Sequence, residues 1–200
     1  MEFLAVLSVL LGAISVYQGL SKPQPEDRLK LLGELGKLLT ALGFVKSVHN
    51  KFQLVVNTLR KFSEETGTSL DAGDIKHAWA TVERLYATQV RKTVVERAQT
   101  AKALGWQWPG NIQVPSIIAE DVEWLKKQYP LLVDEIAAFA ASFAAFDAQL
   151  STNNLSRFGE LREGMLCDAE EILASADFTI VGTVHVLQFV TDLAFQSGQK

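Results

Sequence analysis

Asp74-Ile75-Lys76-His77 sets a carboxylate three residues ahead of an imidazole, so on a helix both would project from one face. Helical bundles that hold paired metal ions use this spacing, but twice, and with a further glutamate from each of two other helices. Here Glu160, Glu163, Glu120, Asp121 and Glu123 could add oxygens, yet no second histidine stands at the required spacing. Asp74 therefore reads as a helix cap and His77 as a surface residue, and a metal-dependent bundle enzyme is the most distant of three functional readings. His49 falls within an apolar seam and His185 within an apolar run. A polar residue in such a place sets register or finds one partner, although protonating either imidazole could open helix packing in acid. Cys167, in GMLCDAEE, has acidic neighbours that keep its thiol protonated rather than nucleophilic. No Gly-rich phosphate loop, nucleophile elbow or Cys/His metal spacing occurs. The sequence thus predicts no catalytic residue, no metal site, no cofactor and no enzymatic activity.

The elements that would position these residues are helices. Two hundred residues with 48% hydrophobic content suffice for one medium domain and exclude a disordered chain. The single cysteine cannot form an internal disulfide, which fits a reducing compartment. Net charge is −4, but unevenly spread: residues 22–62 carry eight Lys/Arg against Glu26, Asp27 and Glu34, a local +5. From Trp124 onward five basic residues face ten acidic ones, a local −5. This balance argues against nucleic acid as a partner. The basic stretch, with Lys22, Arg28, Lys30 and Lys37, directly follows an apolar N-terminus, where it would favour an anionic membrane leaflet or simply form a solvated face.

The pattern predicts an all-α, elongated bundle of about six to seven helices. Residues 1–21 form an apolar N-terminal helix, residues 22–25 a linker, and residues 26–200 a single helical-bundle domain. Helix two begins at Pro25 with Glu26 and Asp27 at its positive dipole end. Its seam of Leu31, Leu35, Leu38, Leu42, Val45, His49, Phe52, Val56 and Leu59 runs to about Phe62. Helix three opens near Asp71 or Asp74, buries Ile75, Trp79, Val82 and Tyr86, and closes at Gly105. Helix four follows Pro115, and Pro130 is expected to divide it from a fifth. That fifth helix carries Phe139, Phe143 and Phe146 amid alanines and should be central. Leu155–Ala174 forms a sixth. FTIVGTVHVLQFVTDLAF has strand propensity but no partner strand, so it is read as a seventh helix.

Phe3 to Ser21 contains no charge, and about eighteen such residues span about 27 Å as a helix, enough for one membrane crossing. Met-Glu stands where a cleaved signal needs basic residues, so the segment is expected to be retained. Phe3, Leu4, Leu7, Leu10, Leu11 and Ile14 supply its apolar bulk, while Ala5, Ser8, Gly12, Ser15 and Gly19 make a small-residue stripe that lets another backbone approach. Gly33, Gly36, Thr40, Gly43 and Ser47 repeat that stripe on helix two. Interior glycines each cost about 1 kcal/mol relative to alanine, a penalty that close packing would offset. The first two helices are therefore expected to form an antiparallel hairpin with mated small faces. Trp106 and Trp108, in the uncharged stretch 103–119, could dock a membrane or protein partner, or cap the bundle.

In outline, residues 1–62 resemble the fungal HeLo-type helical-bundle death domains, in which an apolar N-terminal helix precedes an all-α bundle and acts on membranes. The likeness is one of architecture; separately, a first helix sheltered in a soluble hairpin and released when the bundle opens would make the protein latent. The leading expectation is a membrane-associated assembly or effector protein, including a pore-forming or membrane-perturbing one, at the inner or cytoplasmic membrane with its bundle on the cytoplasmic side. The rival is a cytoplasmic oligomeric scaffold or adaptor whose first helix is buried in an interface with another copy or a protein partner.

Overall fold

A computed structural model describes residues 25–66, 71–98, 116–152 and 155–195. They form four long helices, and among the described residues there is no strand. Helix α1 spans Pro25–Thr66. Helix α2 spans Ala72–Leu85 and continues into a π-helical stretch, Tyr86–Val95. Helix α3 spans Ser116–Ser151 and α4 spans Phe158–Phe195. Residues 1–24 lie outside the described residues, as do Trp106 and Trp108.

Adjacent helices run antiparallel. At one end Phe62, Trp79, Phe146 and Phe158, one from each helix, meet with ring centroids 4.5–6.1 Å apart. Phe62 ends α1 and Phe146 ends α3, whereas Trp79 and Phe158 begin α2 and α4. Among the described residues the opposite end is closed by three helices: Leu38 and Leu42 of α1, Ile118, Val122 and Leu125 of α3, and Val186, Leu187, Phe189 and Val190 of α4. The most extensive interface joins α1 to α4, followed by α3 to α4.

From Leu35 onward the heptad seam of α1 is the core it was expected to be, while the Leu31 side chain lies outside the described residues. Leu38, Leu42, Val45, Phe52, Val56 and Leu59 are buried, Leu35 is partly buried, and His49 sits at the edge with its Nε2 3.1 Å from Asp177 Oδ1 of α4. In α2 the cap is Asp71, whose carboxylate accepts from the Gly73 N–H at 2.7 Å; Asp74 lies one turn further in, and His77 is exposed.

The π-helix has a cause in the spacing of the buried stripe, Val82, Tyr86, Val90, Val94 and Ala98. Each four-residue step in an α-helix carries a stripe about 40° around the axis. Four such steps in succession would turn the apolar side to water. Bonding from i to i+5 widens the turn to about 4.4 residues and reverses that drift, so every one of these residues stays inside.

Two expected breaks are absent. Pro130 lies within a continuous α3, its ring exposed while Leu125, Leu132, Val133 and Ile136 bury on both sides of it. Solvent can hydrate the carbonyl that proline leaves without a donor, and the flanking burial outweighs a cost of about 3 kcal/mol. The sixth and seventh helices are one element, α4, because Ser175-Ala176-Asp177 contains no breaker. In α4 the Thr179 and Thr183 hydroxyls donate to the carbonyls of Ser175 and Thr179 at 2.7 and 2.6 Å, so the buried β-branched polar residues are satisfied within the helix. Nor is α3 central: Phe139, Phe143 and Phe146 are buried, but Ala137, Ala138, Ala141, Ala144 and Ala145 face solvent. Alanine exposes little apolar area and is the best helix former, so an alanine face is at ease in water.

One close approach fixes the α3–α4 seam. A Cβ placed on Gly182 would fall 2.7 Å from the Trp124 ring and 3.4 Å from Leu125, whereas one on the exposed Gly164 meets nothing among the described residues within 4 Å. Gly182→Ala should destabilise the chain by about 1–3 kcal/mol. Gly164→Ala should stabilise it by about 0.5–1 kcal/mol. Denaturant unfolding of the two variants checks this, and equal effects would contradict the packing.

Candidate helix-association surface

α1 is unusual on the side turned away from its core. Gly33, Gly36, Thr40 and Gly43 are exposed and Ser47 partly so, and a Cβ at any of the three glycines meets nothing among the described residues within 4 Å. Leu32 and Leu39 flank the stripe at 43% and 44% exposure, and Asn50 and Leu54 continue it. At about 100° of rotation per residue, these positions share one face, and none of them is ionisable. Lys37 and Lys46 fall on its two edges. Lys37 is paired with Glu34 at 2.8 Å. The side chains of Arg28 and Lys30, on the first turns of α1, lie outside the described residues, as does Lys22.

A second apolar exposure lies on α4. Phe178 and Val181 are each 69% exposed, and Phe158–Asp192 is long and apolar enough to cross a membrane, with 39% of its most apolar window buried. Length and composition alone do not separate a membrane span from the core helix of a soluble bundle. Sequence reasoning concentrated on residues 3–21 and missed this outer face, although Phe178, Val181 and His185 at steps of three and four would have marked it.

The seams holding α4 are polar at intervals. His185 Nδ1 lies 2.6 Å from Asp121 Oδ2 of α3, an ion pair when the imidazole is protonated. Thr183 spends its only proton on the Thr179 carbonyl, so the Tyr129 hydroxyl donates to Thr183 Oγ1 at 2.9 Å. Burial pushes the Tyr129 phenol up to about 12. Ser175 Oγ donates to Glu135 Oε1 at 3.2 Å, while Glu135 Oε2 is buried with no hydrogen-bond partner among the described residues. Burial raises the Glu135 carboxyl above its ordinary value, the Ser175 hydrogen bond opposing and the Glu171 charge adding to the rise.

The acidic residues considered for a metal do not converge. Glu160 pairs with Arg157, Asp121 with His185 and Glu123 with Lys126. Asp74 and His77 line a cavity of about 460 Å³ with Glu65, Thr66, Ala78 and Thr81. No group of three or more His, Cys, Asp or Glu among the described residues could hold a metal ion. Cys167 is exposed, and its thiol is raised chiefly by the Glu171 charge, with burial and the Asp168 and Glu170 charges adding. A thiol so placed is a poor nucleophile.

Glu135 yields a pH signature. A carboxyl raised in the folded chain binds its proton there before it does in the unfolded chain, so stability falls as pH rises from the ordinary value through the raised one, and the cost is complete above it. Glu135→Gln should flatten the stability–pH curve in that window and leave the chain no less stable at pH 7. A curve unchanged by the substitution would contradict the burial of this group. Comparison with protein-family models, curated proteins and solved structures found no match, so the surface has to be interpreted from its own chemistry.

Proposed function

We propose that this chain is a membrane-associated helical assembly or effector protein that acts by insertion or helix–helix association of its apolar N-terminal segment, residues 3–20. The observation that carries this reading is the outer face of α1, which from Leu32 to Asn50 has charge only at its edges, Lys37 and Lys46, and has its glycines open among the described residues. Water is a poor solvent for such a face, and glycine interruptions are costly unless something packs on them. The apolar N-terminal segment lies immediately before α1 in sequence and is equally ill-suited to water. The segment forms a hairpin with α1 when sheltered and enters or perturbs a bilayer, up to pore formation, when released. Lys22, Arg28, Lys30 and Lys37 would hold the bundle at the cytoplasmic side of the inner or cytoplasmic membrane.

A soluble oligomeric scaffold or adaptor is the second reading, favoured by Phe178 and Val181 on α4, where the apolar exposure suits a protein partner. Fractionation separates the two. The core of the described residues is built from Leu35 onward, so the chain lacking residues 1–21 should keep its bundle. With membranes present, the full chain should pellet and the shortened chain should remain soluble. A full chain that stays soluble as a discrete oligomer, with the shortened chain monomeric, would overturn the membrane reading in favour of the scaffold.

A further inference from the structure

We infer that the occupant of α1's outer face is residues 3–20 of the same chain, docked antiparallel in one register that pairs Gly19 with Gly33, Gly12 with Thr40 and Ala5 with Ser47. This rests on the reading that the N-terminal segment is an associating helix, and it adds the partner surface and the alignment.

Three observations converge on that register. The first is numerical: the stripe 5, 8, 12, 15, 19 and the stripe 33, 36, 40, 43, 47 mirror each other, since opposed positions sum to 51 or 52 throughout. In an antiparallel pair of α-helices a constant sum is the condition for every small residue on one helix to face a small residue on the other. The stripes also keep a constant difference of 28, so spacing alone admits a parallel pairing; within one chain that pairing would need a return of about 34 Å from the level of Ser47 to Pro25, beyond the reach of the six-residue link.

The second is reach. Gly33 stands eight residues into α1, about 12 Å above its start. Helices packed through small residues lie about 8 Å apart, so the chain must cover roughly 14 Å between Gly19 and Pro25. Six residues extend to about 20 Å. The link is long enough for this alignment and, with Pro23 and Pro25 in it, too short to carry the segment to the far end of the bundle.

The third is the surface itself. The exposed face offers no charge for a neutral helix to desolvate, and Leu32 and Leu39 stand beside the glycines at 43% and 44% exposure, placed to close over the edge of a docked helix. Eighteen helical residues cover about 27 Å, which takes the docked segment as far as Ser47. Leu54, further along the same face, stays outside the hairpin.

Cysteine pairs in the full-length chain carrying Cys167→Ser test the register. Gly12→Cys with Thr40→Cys, and separately Ala5→Cys with Ser47→Cys, should each close a disulfide within one chain under mild oxidation without lipid, seen as faster migration on a non-reducing gel. The off-register pair, Ala5→Cys with Gly33→Cys, should close at least ten-fold more slowly, because a bridge needs Cα atoms within about 7 Å. Having two in-register pairs guards against one variant misfolding. Disulfides linking two chains would overturn the proposal in favour of a second copy on this face. Equal rates for all pairs, or none for either in-register pair, would overturn it as well. Fractionation reports separately on the membrane: an in-register bridge in a chain that never pellets sinks the membrane reading and keeps the hairpin, while a pelleting chain without the bridge does the reverse.

Discussion

A surface helix in a water-soluble bundle needs charge on the side away from its core, and from Leu32 to Asn50 α1 carries it only at the edges of that side, as Lys37 and Lys46. Its inner side is ordinary: Val45, Val48, Phe52, Val56 and Leu59 are almost wholly buried. Its outer side, from Leu32 to Asn50, presents glycines, leucines and neutral polar residues between Lys37 and Lys46 at the edges. A helix apolar or neutral on both sides is an interior helix, and the four described helices cover only one of those sides. Everything proposed for the N-terminal segment follows from that imbalance.

The remainder of the bundle is built to hold α1 firmly while leaving the face open. α4 binds it along most of its length, α3 binds α4 through the Gly182–Trp124 approach, and α2 closes the aromatic end. Trp79 is central there. Its ring packs on Phe62, Phe143 and Phe146, and its N–H donates to Asp147 at 3.0 Å, so a large side chain is buried without stranding its one polar atom.

What could be read from sequence divides along physical lines. Periodicity located the α1 seam, the α2 stripe and the phenylalanines of α3, because burial of apolar side chains dictates both spacing and fold. Local signals misled where tertiary packing outweighed them. Pro130 suggested a break that the burial of Leu125 and Leu132 overrides, whereas the strand propensity of the valines and threonines of α4 was rightly set aside for want of a partner strand, and their hydroxyls are satisfied within the helix. The π-helix was legible in the repeated steps of four after Val82, a signal readily passed over because α-helical spacing is the default expectation. The openness of the glycine face on α1 was not legible: spacing shows that small residues share a side, and only the placement of α2, α3 and α4 shows that none of them covers it.

Amide hydrogen exchange across residues 3–20 of the intact chain, with Val45–Leu59 as the internal reference, measures most directly whether this segment is shielded from water. Shielding by α1 or by lipid predicts slow exchange, within about ten-fold of the reference helix. Exchange at the rate of an unfolded peptide, both in buffer and with anionic vesicles, would contradict the account.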